Sequence, residues 1–108
     1  MKLFKLKNYK DAAKLELEVV KRREEILGAA HKVTLLSKHD YAVTLRNLER
    51  YKEAEKIQLE VIKGRAQLLG PNHQDTLLTK NNYAFTLKSA KRFKEAEKVY
   101  LEVIKARE

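Results

Sequence analysis

The stretch from Leu68 to Leu87, LLGPNHQDTLLTKNNYAFTL, concentrates side chains that could do chemistry. It brings together a histidine, an aspartate, a threonine and two asparagines, namely His73, Asp75, Thr76, Asn81 and Asn82. Imidazole and carboxylate groups can transfer protons, and both can ligate a metal ion. The stretch from Ile26 to Leu45, ILGAAHKVTLLSKHDYAVTL, lies 42 residues upstream and shares the same pattern of residues. The recurrence leaves two interpretations, a repeated site or a repeated helix boundary.

The spacing of these residues does not match a catalytic or metal-binding motif. The three histidines form neither HExxH nor HxH, and no GxSxG, P-loop or GxGxxG sequence occurs. His31 and His73 stand at matching positions, which is typical of structural residues that pack or hydrogen-bond at a turn. Paired carboxylates such as Glu24 and Glu25 lie on charged stretches, without the desolvation that acid–base catalysis needs. We therefore expect no enzymatic activity, no catalytic residue, no metal site and no cofactor.

Composition favours one small helical domain. The 108 residues are 44% apolar and 36% charged, with three glycines and one proline, which is typical of helices with a charged surface around a modest core. Cysteine is absent, which excludes disulfides and thiolate chemistry and fits a cytoplasmic location. No apolar run is long enough to span a membrane, and the first residues lack a signal-peptide pattern. The net charge of +9 indicates a solvated basic surface or an acidic partner.

An internal repeat organises the chain. When residues 8–49 are compared with residues 50–91, 20 of the 42 positions are identical without a gap. Apolar residues at helical spacing predict two helices per repeat, an A helix and a B helix. We predict A helices at 33–48 and 75–90, B helices at 9–27, 51–69 and 93–107, and the stub of an earlier A helix from Met1 to about Lys7. The single domain 1–108 then holds a partial unit at about 1–31, a full unit at 32–73 and a partial unit at 74–108.

Individual residues mark the ends of these helices. Gly70 can adopt a left-handed conformation and the proline after it cannot continue a helix, so a B helix ends there. Asp75 or Thr76 is expected to cap the following A helix by accepting a backbone hydrogen bond. The turns from A to B helices contain no glycine, so Glu49 and Lys91 must close them without its conformational freedom.

One face of the B helix at 51–69 is predicted to line the core. Its apolar residues recur at helical spacing, as Ala54, Ile57, Val61 and Leu68, with Leu59 and Ile62 widening the face. Such a broad face suits a helix that is covered on two sides. Because neither helix of a hairpin can bury its apolar stripe alone, neighbouring hairpins must stack.

The repeat resembles the tetratricopeptide repeat, in its 42-residue kinesin-light-chain-like variety. The family pattern is approximately L-G-x-x-H-P-x-T-L-x-x-x-x-N-L-A followed by G-R-Y-x-E-A-E, and this chain offers LLGPNHQDTLLTKNNYAFTL and RFKEAEKVYLEVI. Gln74 and Lys32 replace the proline after the histidine, and Glu49 and Lys91 replace the turn glycine. The resemblance implies an all-α fold, a right-handed α-solenoid of antiparallel helical hairpins with about two and a half repeats. It also implies that the A helices form a concave wall that binds peptides.

The face of each A helix that the core does not use is the candidate peptide-binding groove. By helical spacing it comprises Leu36, His39, Asp40, Val43, Arg46 and Asn47 in one unit, and Leu78, Asn81, Asn82, Phe85, Lys88 and Ser89 in the next. The resemblance implies that the amide of Asn82 binds the ligand backbone, since an amide can both donate and accept. Asp40, at the equivalent position, cannot donate when ionised. Arg46 and Lys88 make the groove basic and favour a peptide with acidic and apolar residues.

Three functions are compatible with the sequence. The first, which we favour, is a non-catalytic protein–protein interaction module that binds a peptide segment in the basic groove. The second is a structural repeat fragment or engineered scaffold that forms homo-oligomers through terminal helices or hairpin exchange, since Val99, Val103 and Ile104 have no successor helix to cover. The third, nucleic-acid binding, lacks aromatic side chains free to stack on bases. A membrane partner is not indicated.

Overall fold

Five consecutive α-helices account for the described part of the chain. The computed structural model describes the backbone of residues 2–108 and the side chains of residues 8–108. The helices are α1 (Lys2–Leu27), α2 (Lys32–Asn47), α3 (Tyr51–Leu69), α4 (Gln74–Ser89) and α5 (Phe93–Arg107). Each helix packs against the next, and α2 also contacts α4. This is the predicted all-α solenoid of antiparallel hairpins, in which α2 and α4 are A helices and α3 and α5 are B helices.

The first helix differs from the prediction. A stub of an A helix up to about Lys7, a turn and a B helix at 9–27 were expected, but α1 runs without interruption from Lys2 to Leu27; Met1 lies outside the described residues. A turn here would place one residue in the left-handed region, at a cost of roughly 1–2 kcal/mol. A stub of about one and a half turns gains too little packing to offset that cost, whereas a continued helix keeps its backbone hydrogen bonds.

The core lies where α2 is held between α1 and α3. Its buried residues are Ala13, Val20, Tyr41, Leu45 and Ala54. Leu45 is completely inaccessible to solvent, because α2 has B helices on both sides. Packing is close at Gly64 of α3, where a Cβ atom would lie 2.7 Å from the Cδ2 atom of Leu35. The absence of a side chain at this position lets α3 approach α2.

Two leucines that were predicted to line the core are exposed instead. Leu68 has 52% of its surface exposed and Leu59 has 49%. Since α2 and α3 are antiparallel and Gly64 faces Leu35, Leu68 lies one turn further along α3, beyond the start of α2. Leu59 lies on the outer side of α3, which no described helix covers. The predicted core positions Ala54 and Val61 are completely buried.

Histidines cap the two A helices. The Nδ1 atom of His73 accepts a hydrogen bond from the backbone N–H of Asp75 at 3.0 Å, and His31 accepts one from Val33 at 3.1 Å. The prediction that Asp75 or Thr76 supplies the cap is therefore wrong, and the recurrence of histidine has this structural cause. Thr76 instead donates to the carbonyl oxygen of Gly70 at 2.8 Å and holds the linker against the helix.

The A-to-B turns are closed by residues in the left-handed conformation, as expected. Glu49 has φ 63° and Lys91 has φ 66°. At the end of α4 the N–H of Lys91 donates to the carbonyl oxygen of Lys88 at 2.9 Å, and that of Arg92 to Leu87 at 2.9 Å. These two bonds form a Schellman motif, which normally has glycine at the left-handed position. Both turns therefore carry the steric cost of a Cβ atom.

We predict that Lys91→Gly raises the free energy of unfolding by about 1 kcal/mol, because it removes the left-handed strain of a residue with a Cβ atom. Urea denaturation measures the effect. The control is Lys91→Ala, which removes the long side chain but retains the Cβ atom, and which should be no more stable than the starting protein. Equal stabilities of the glycine and alanine variants would contradict the strain argument.

A buried amide lacks hydrogen bonds. Gln58 is 1% exposed, and neither its Nε2 nor its Oε1 atom has a partner among the described residues. A buried polar group without a partner has lost its hydrogen bonds to water without replacement, which costs roughly 1–3 kcal/mol. The neighbouring α4 covers this part of α3 but offers it no donor or acceptor.

The substitution Gln58→Met should therefore stabilise the fold by about 1 kcal/mol, since methionine has a similar shape and no amide. The matched control is Gln67→Met on the same helix, where the glutamine is exposed and the substitution should be nearly neutral. Thermal unfolding of the two variants checks this difference. A lower stability for Gln58→Met would show that the amide is satisfied in solution.

Candidate functional site

The candidate groove lies where α2 and α4 run side by side. None of the twelve predicted groove residues is buried. Six are exposed, namely Leu36, Asp40, Asn47, Leu78, Phe85 and Lys88, and six are half-buried, namely His39, Val43, Arg46, Asn81, Asn82 and Ser89. These positions remain on the surface because the other faces of α2 and α4 pack against B helices.

Two contacts join the groove residues of the two repeats. The Nδ2 atom of Asn82 lies 3.4 Å from the Nε2 atom of His39. The guanidinium carbon of Arg46 lies 4.5 Å from the centre of the Phe85 ring, in a cation–π arrangement. The structure thus brings together four of the predicted residues as two pairs, one polar and one stacked. Both pairs cross from α2 to α4, so the two A helices present one continuous surface.

A cavity of about 470 Å³ opens at one end of this surface. Its walls come from the first turns of α2 and α4 and from the last turns of α3. Eleven residues line it, namely Lys32, Val33, Leu35, Leu36, His39, Arg65, Leu68, Leu69, His73, Asp75 and Leu78. Three of them, Leu36, His39 and Leu78, belong to the predicted groove. The other predicted residues lie outside the cavity, along the remaining turns of the two A helices.

Sequence reasoning missed the contribution of α3 to this cavity. Leu68 was assigned to the core face and Leu69 to the end of the helix, but they are 52% and 39% exposed and line the cavity. The sequence did contain a sign of this cavity. Two leucines stand directly before Gly70, and the core face of α3 has a place for only one of them. The cavity is therefore a leucine-lined slot with polar groups on its rim.

The cationic side chains around the cavity differ in whether they are free to contact a ligand. Arg65 is buried and donates to the hydroxyl oxygen of Thr79 at 2.7 Å and to the carbonyl oxygen of Asp75 at 3.2 Å. Its cation is therefore engaged in joining α3 to α4. Lys32 is exposed on the rim, and Arg46 is half-buried further along the groove. Burial lowers the pKa of Arg46, although the group stays protonated at physiological pH.

His39 is held in its neutral form. Burial and the nearby cation of Arg65 lower the pKa of His39 below its ordinary value of 6.5, with Arg46 acting in the same direction and Asp40 and Asp75 opposing it. Its Nδ1 atom is buried and has no partner among the described residues. Donation from Asn82 to Nε2 requires the tautomer that carries its proton on Nδ1. A proton added to Nε2 would abolish that acceptor.

The low pKa of His39 gives a prediction for stability. The unfolded histidine titrates near 6.5 while the folded one titrates lower, so the unfolded chain binds more protons as the pH falls through 6.5. The stability contributed by neutral His39 is complete above this pH and is lost below it. The starting protein should thus lose more free energy of unfolding between about pH 7.5 and about pH 5 than His39→Gln does. Urea titrations at the two pH values measure this, and equal losses would contradict it.

The described residues contain neither a metal site nor a membrane span. No group of three or more histidine, cysteine, aspartate or glutamate side chains within residues 8–108 is arranged to hold a metal ion. None of the helices in the described part of the chain is long and apolar enough to cross a bilayer.

Comparison with solved structures supports the solenoid fold. Two structures of the nearly identical TPR-like repeats of a protein described as a kinesin light chain of Podosopora anserina, the second a single-substitution variant, superpose with TM-scores of 0.80. Sequence identity is 21% in each case, and the alignment covers 93% of this chain and 47% of theirs. This chain thus spans about half the length of the chains it matches. A comparison with curated protein sequences finds no match.

Family models match most of the chain. One model described as tetratricopeptide repeat matches residues 33–108, and a second with the same description matches residues 3–31. Together they cover all five helices. Tetratricopeptide repeats are in general protein-interaction modules and not enzymes. With its 42-residue period, its stacked hairpins and these matches, the chain belongs to the tetratricopeptide-repeat family, and its fold is similar to that of the kinesin-light-chain repeats.

Proposed function

We propose that the chain binds a peptide segment of a partner protein along the surface shared by α2 and α4. The observation that carries this proposal is the leucine-lined cavity of about 470 Å³ that continues into the surface bearing Asn82 and Phe85. A peptide site needs places for apolar side chains and separate groups for the peptide backbone. This surface supplies both within one continuous strip.

The cavity is suited to an apolar anchor residue of the ligand. Leu36 is 48% exposed and Leu78 is 45% exposed, and both stand at its mouth. Each of these side chains would lose contact with water when a leucine-sized or aromatic residue enters. At about 25 cal/mol for each Å² of apolar surface removed from water, one anchor residue supplies roughly 1.5–3 kcal/mol of binding free energy.

Asn82 is the group best placed for the peptide backbone. Its contact with His39, at 3.4 Å, is at the long end of hydrogen-bond distances, so a ligand carbonyl can replace it at little cost. His39 has a lowered pKa and remains an acceptor near neutral pH, available to a ligand N–H. The equivalent of Asn82 in the preceding repeat is Asp40, which cannot donate. Backbone recognition is therefore centred on α4.

The charge of the groove favours an acidic ligand. Lys32 is exposed at the start of α2, and Lys88 is exposed near the end of α4, where the half-buried Arg46 at the end of α2 also lies. Asp40 and Asp75 offset part of this charge, but the chain as a whole carries a net charge of +9. Such charges raise the rate of encounter with an acidic peptide more than they raise affinity. Because two A helices give a short groove, we expect an affinity on the order of micromolar or weaker.

Selection from a random peptide library, followed by isothermal titration of the selected peptides, tests this proposal. We expect selected peptides to combine an apolar residue with acidic ones. Phe85→Ala and Asn82→Ala should each weaken binding by about tenfold, the effect of losing roughly 1.4 kcal/mol. Phe93→Ala is the matched control, since Phe93 is a similarly exposed phenylalanine outside the groove, at the start of α5.

The possible results distinguish an error in the assigned site from an error in the proposed function. Selected peptides whose affinity is unchanged by both groove substitutions would show that the chain binds peptides elsewhere. Failure to select any peptide at high protein concentration would contradict peptide binding itself. If Phe93→Ala weakened binding as much as Phe85→Ala, the assignment of the binding surface to α2 and α4 would be contradicted.

A further inference from the structure

A line of exposed lysines runs along the outer side of α3. It consists of Lys52, Lys56 and Lys63, with Leu59 between the last two. The spacings of four, three and four residues place all of them on one side of the helix. That side lies opposite Val61, which is completely buried, so the line points away from the core. The three lysines are exposed, and Leu59 is 49% exposed.

The same line recurs on the other two B helices. The equivalent residues are Lys10, Lys14, Leu17 and Lys21 in α1, and Lys94, Lys98, Leu101 and Lys105 in α5. All six of these lysines are exposed. The interior helix α3 has an A helix packed on each side and still exposes its line, so the exposure follows from the packing of the repeat itself. We call the nine lysines and three leucines the lysine face.

The opposite side of α5 differs from one expectation. Val103, the equivalent of Val61, was expected to lack a covering helix, but it is 3% exposed because α4 packs against it. The expectation for Val103 is therefore wrong. On α5, as on α3, the side opposite the lysine face is the side that the core uses.

The arrangement of the lysines brings the fold no gain in stability. Lys52 and Lys56 are four residues apart, as are the equivalent pairs in α1 and α5, and like charges at this spacing destabilise a helix. None of the nine lysines forms an ion pair with a residue that the structure describes. A helix face that serves only to be solvated typically alternates the sign of its charges. One sign repeated along three helices therefore indicates an anionic partner.

Acidic residues beside the lysine face do not neutralise it. Glu60 lies 3.4 Å from the Nζ atom of Lys38 in α2, and Glu24 of α1 lies at the same distance from that atom. Glu53 pairs with Arg50, and its equivalent in α5 pairs with a neighbouring arginine in the same way. The acidic residues of this flank that have no ion pair with a described residue are Asp11, Glu18, Glu25 and Glu102. Nine lysines outnumber these four, so the face has an excess of positive charge.

We propose that the lysine face binds the surface of a membrane that contains anionic lipids. The ammonium groups contact lipid phosphates and carboxylates, and the exposed Leu59 and Leu101 enter the interfacial region between them. Contact of this kind needs no membrane-spanning segment. The phosphates of a nucleic acid would also satisfy the lysines, but they would leave both leucines in water. The face also lacks aromatic side chains that could stack on bases.

The shape of the molecule allows more than one B helix to contact a membrane at once. It measures 39 × 35 × 19 Å, and a thickness of 19 Å corresponds to two layers of helices. The B helices form one layer, so the lysine face occupies a broad side of the molecule. The groove on α2 and α4 belongs to the other layer and stays accessible. A membrane partner was not expected from the sequence, because the lysines are dispersed along the chain and only folding aligns them.

Cosedimentation with lipid vesicles tests the proposal. Phosphatidylcholine vesicles with about 30% phosphatidylserine, in about 0.1 M salt, provide the anionic surface, and vesicles of phosphatidylcholine alone provide the neutral one. The protein should bind only the anionic vesicles, and higher salt should weaken binding. The combined substitutions Lys52→Gln, Lys56→Gln and Lys63→Gln should lower the partition coefficient about tenfold or more. Leu59→Gln should lower it about threefold, since less apolar surface then leaves water.

The matched control combines Arg22→Gln, Lys80→Gln and Lys91→Gln, which removes the same charge from positions outside the lysine face. It should leave binding nearly unchanged, and circular dichroism should show the same helix content in every variant. Failure to bind the anionic vesicles, or equal binding to both kinds of vesicle, would overturn the proposal. An equal loss in the control would also do so, because net charge alone would then explain the attraction.

Two further results distinguish a membrane from other anionic partners. Vesicle binding that is unchanged by Leu59→Gln would overturn the contact of the leucines with the interface. Fluorescence anisotropy with a labelled DNA duplex supplies the second test. Binding to the duplex that depends on Lys52, Lys56 and Lys63, without binding to vesicles, would assign the face to nucleic acid instead. None of these results bears on whether the groove binds peptides.

Discussion

The structure depends on holding each A helix between two B helices. Ala42 and Leu45 in α2, and Ala84 and Leu87 in α4, are at most 1% exposed because α1, α3 and α5 cover them from both sides. A single hairpin cannot achieve this, since its A helix would retain one apolar side in water. The same constraint determines what remains accessible. Once two sides of an A helix are buried, only one narrow strip is left, and the candidate groove occupies that strip.

The repeat made most of this fold predictable. The bounds of α2 and α4 agree with the sequence within one residue, and those of α3 and α5 agree completely, because a period of 42 residues fixes every equivalent position. Prediction was wrong where equivalence in sequence did not mean equivalence in surroundings. Lys7 aligns with the turn residues Glu49 and Lys91, but α1 continues through it without a turn. The capping histidines were recognised as structural without their exact role.

The candidate groove was only partly predictable. Helical spacing identifies which residues of one helix share a face, and it placed all twelve groove residues on the surface. It cannot give the offset between two helices, so the contacts of Asn82 with His39 and of Arg46 with Phe85 could not be derived. The cavity depends on how the last turns of α3 overlap the first turns of α2 and α4. Tertiary packing determines that overlap, and no local pattern encodes it.

A recurring arginine shows how one sequence position can have different roles along the solenoid. Arg23 donates to the hydroxyl of Ser37, and Arg65 donates to that of Thr79, so each ties a B helix to the following A helix. Arg107 has the same register but is exposed. Arg65 also donates to the backbone carbonyl of Asp75, so in both cases a partner for the cation lies within the protein. At the third position the side chain is exposed, and no described residue accepts a hydrogen bond from its guanidinium. The same position of the repeat can therefore join two helices or remain exposed, depending on which hydroxyl and carbonyl groups lie within reach.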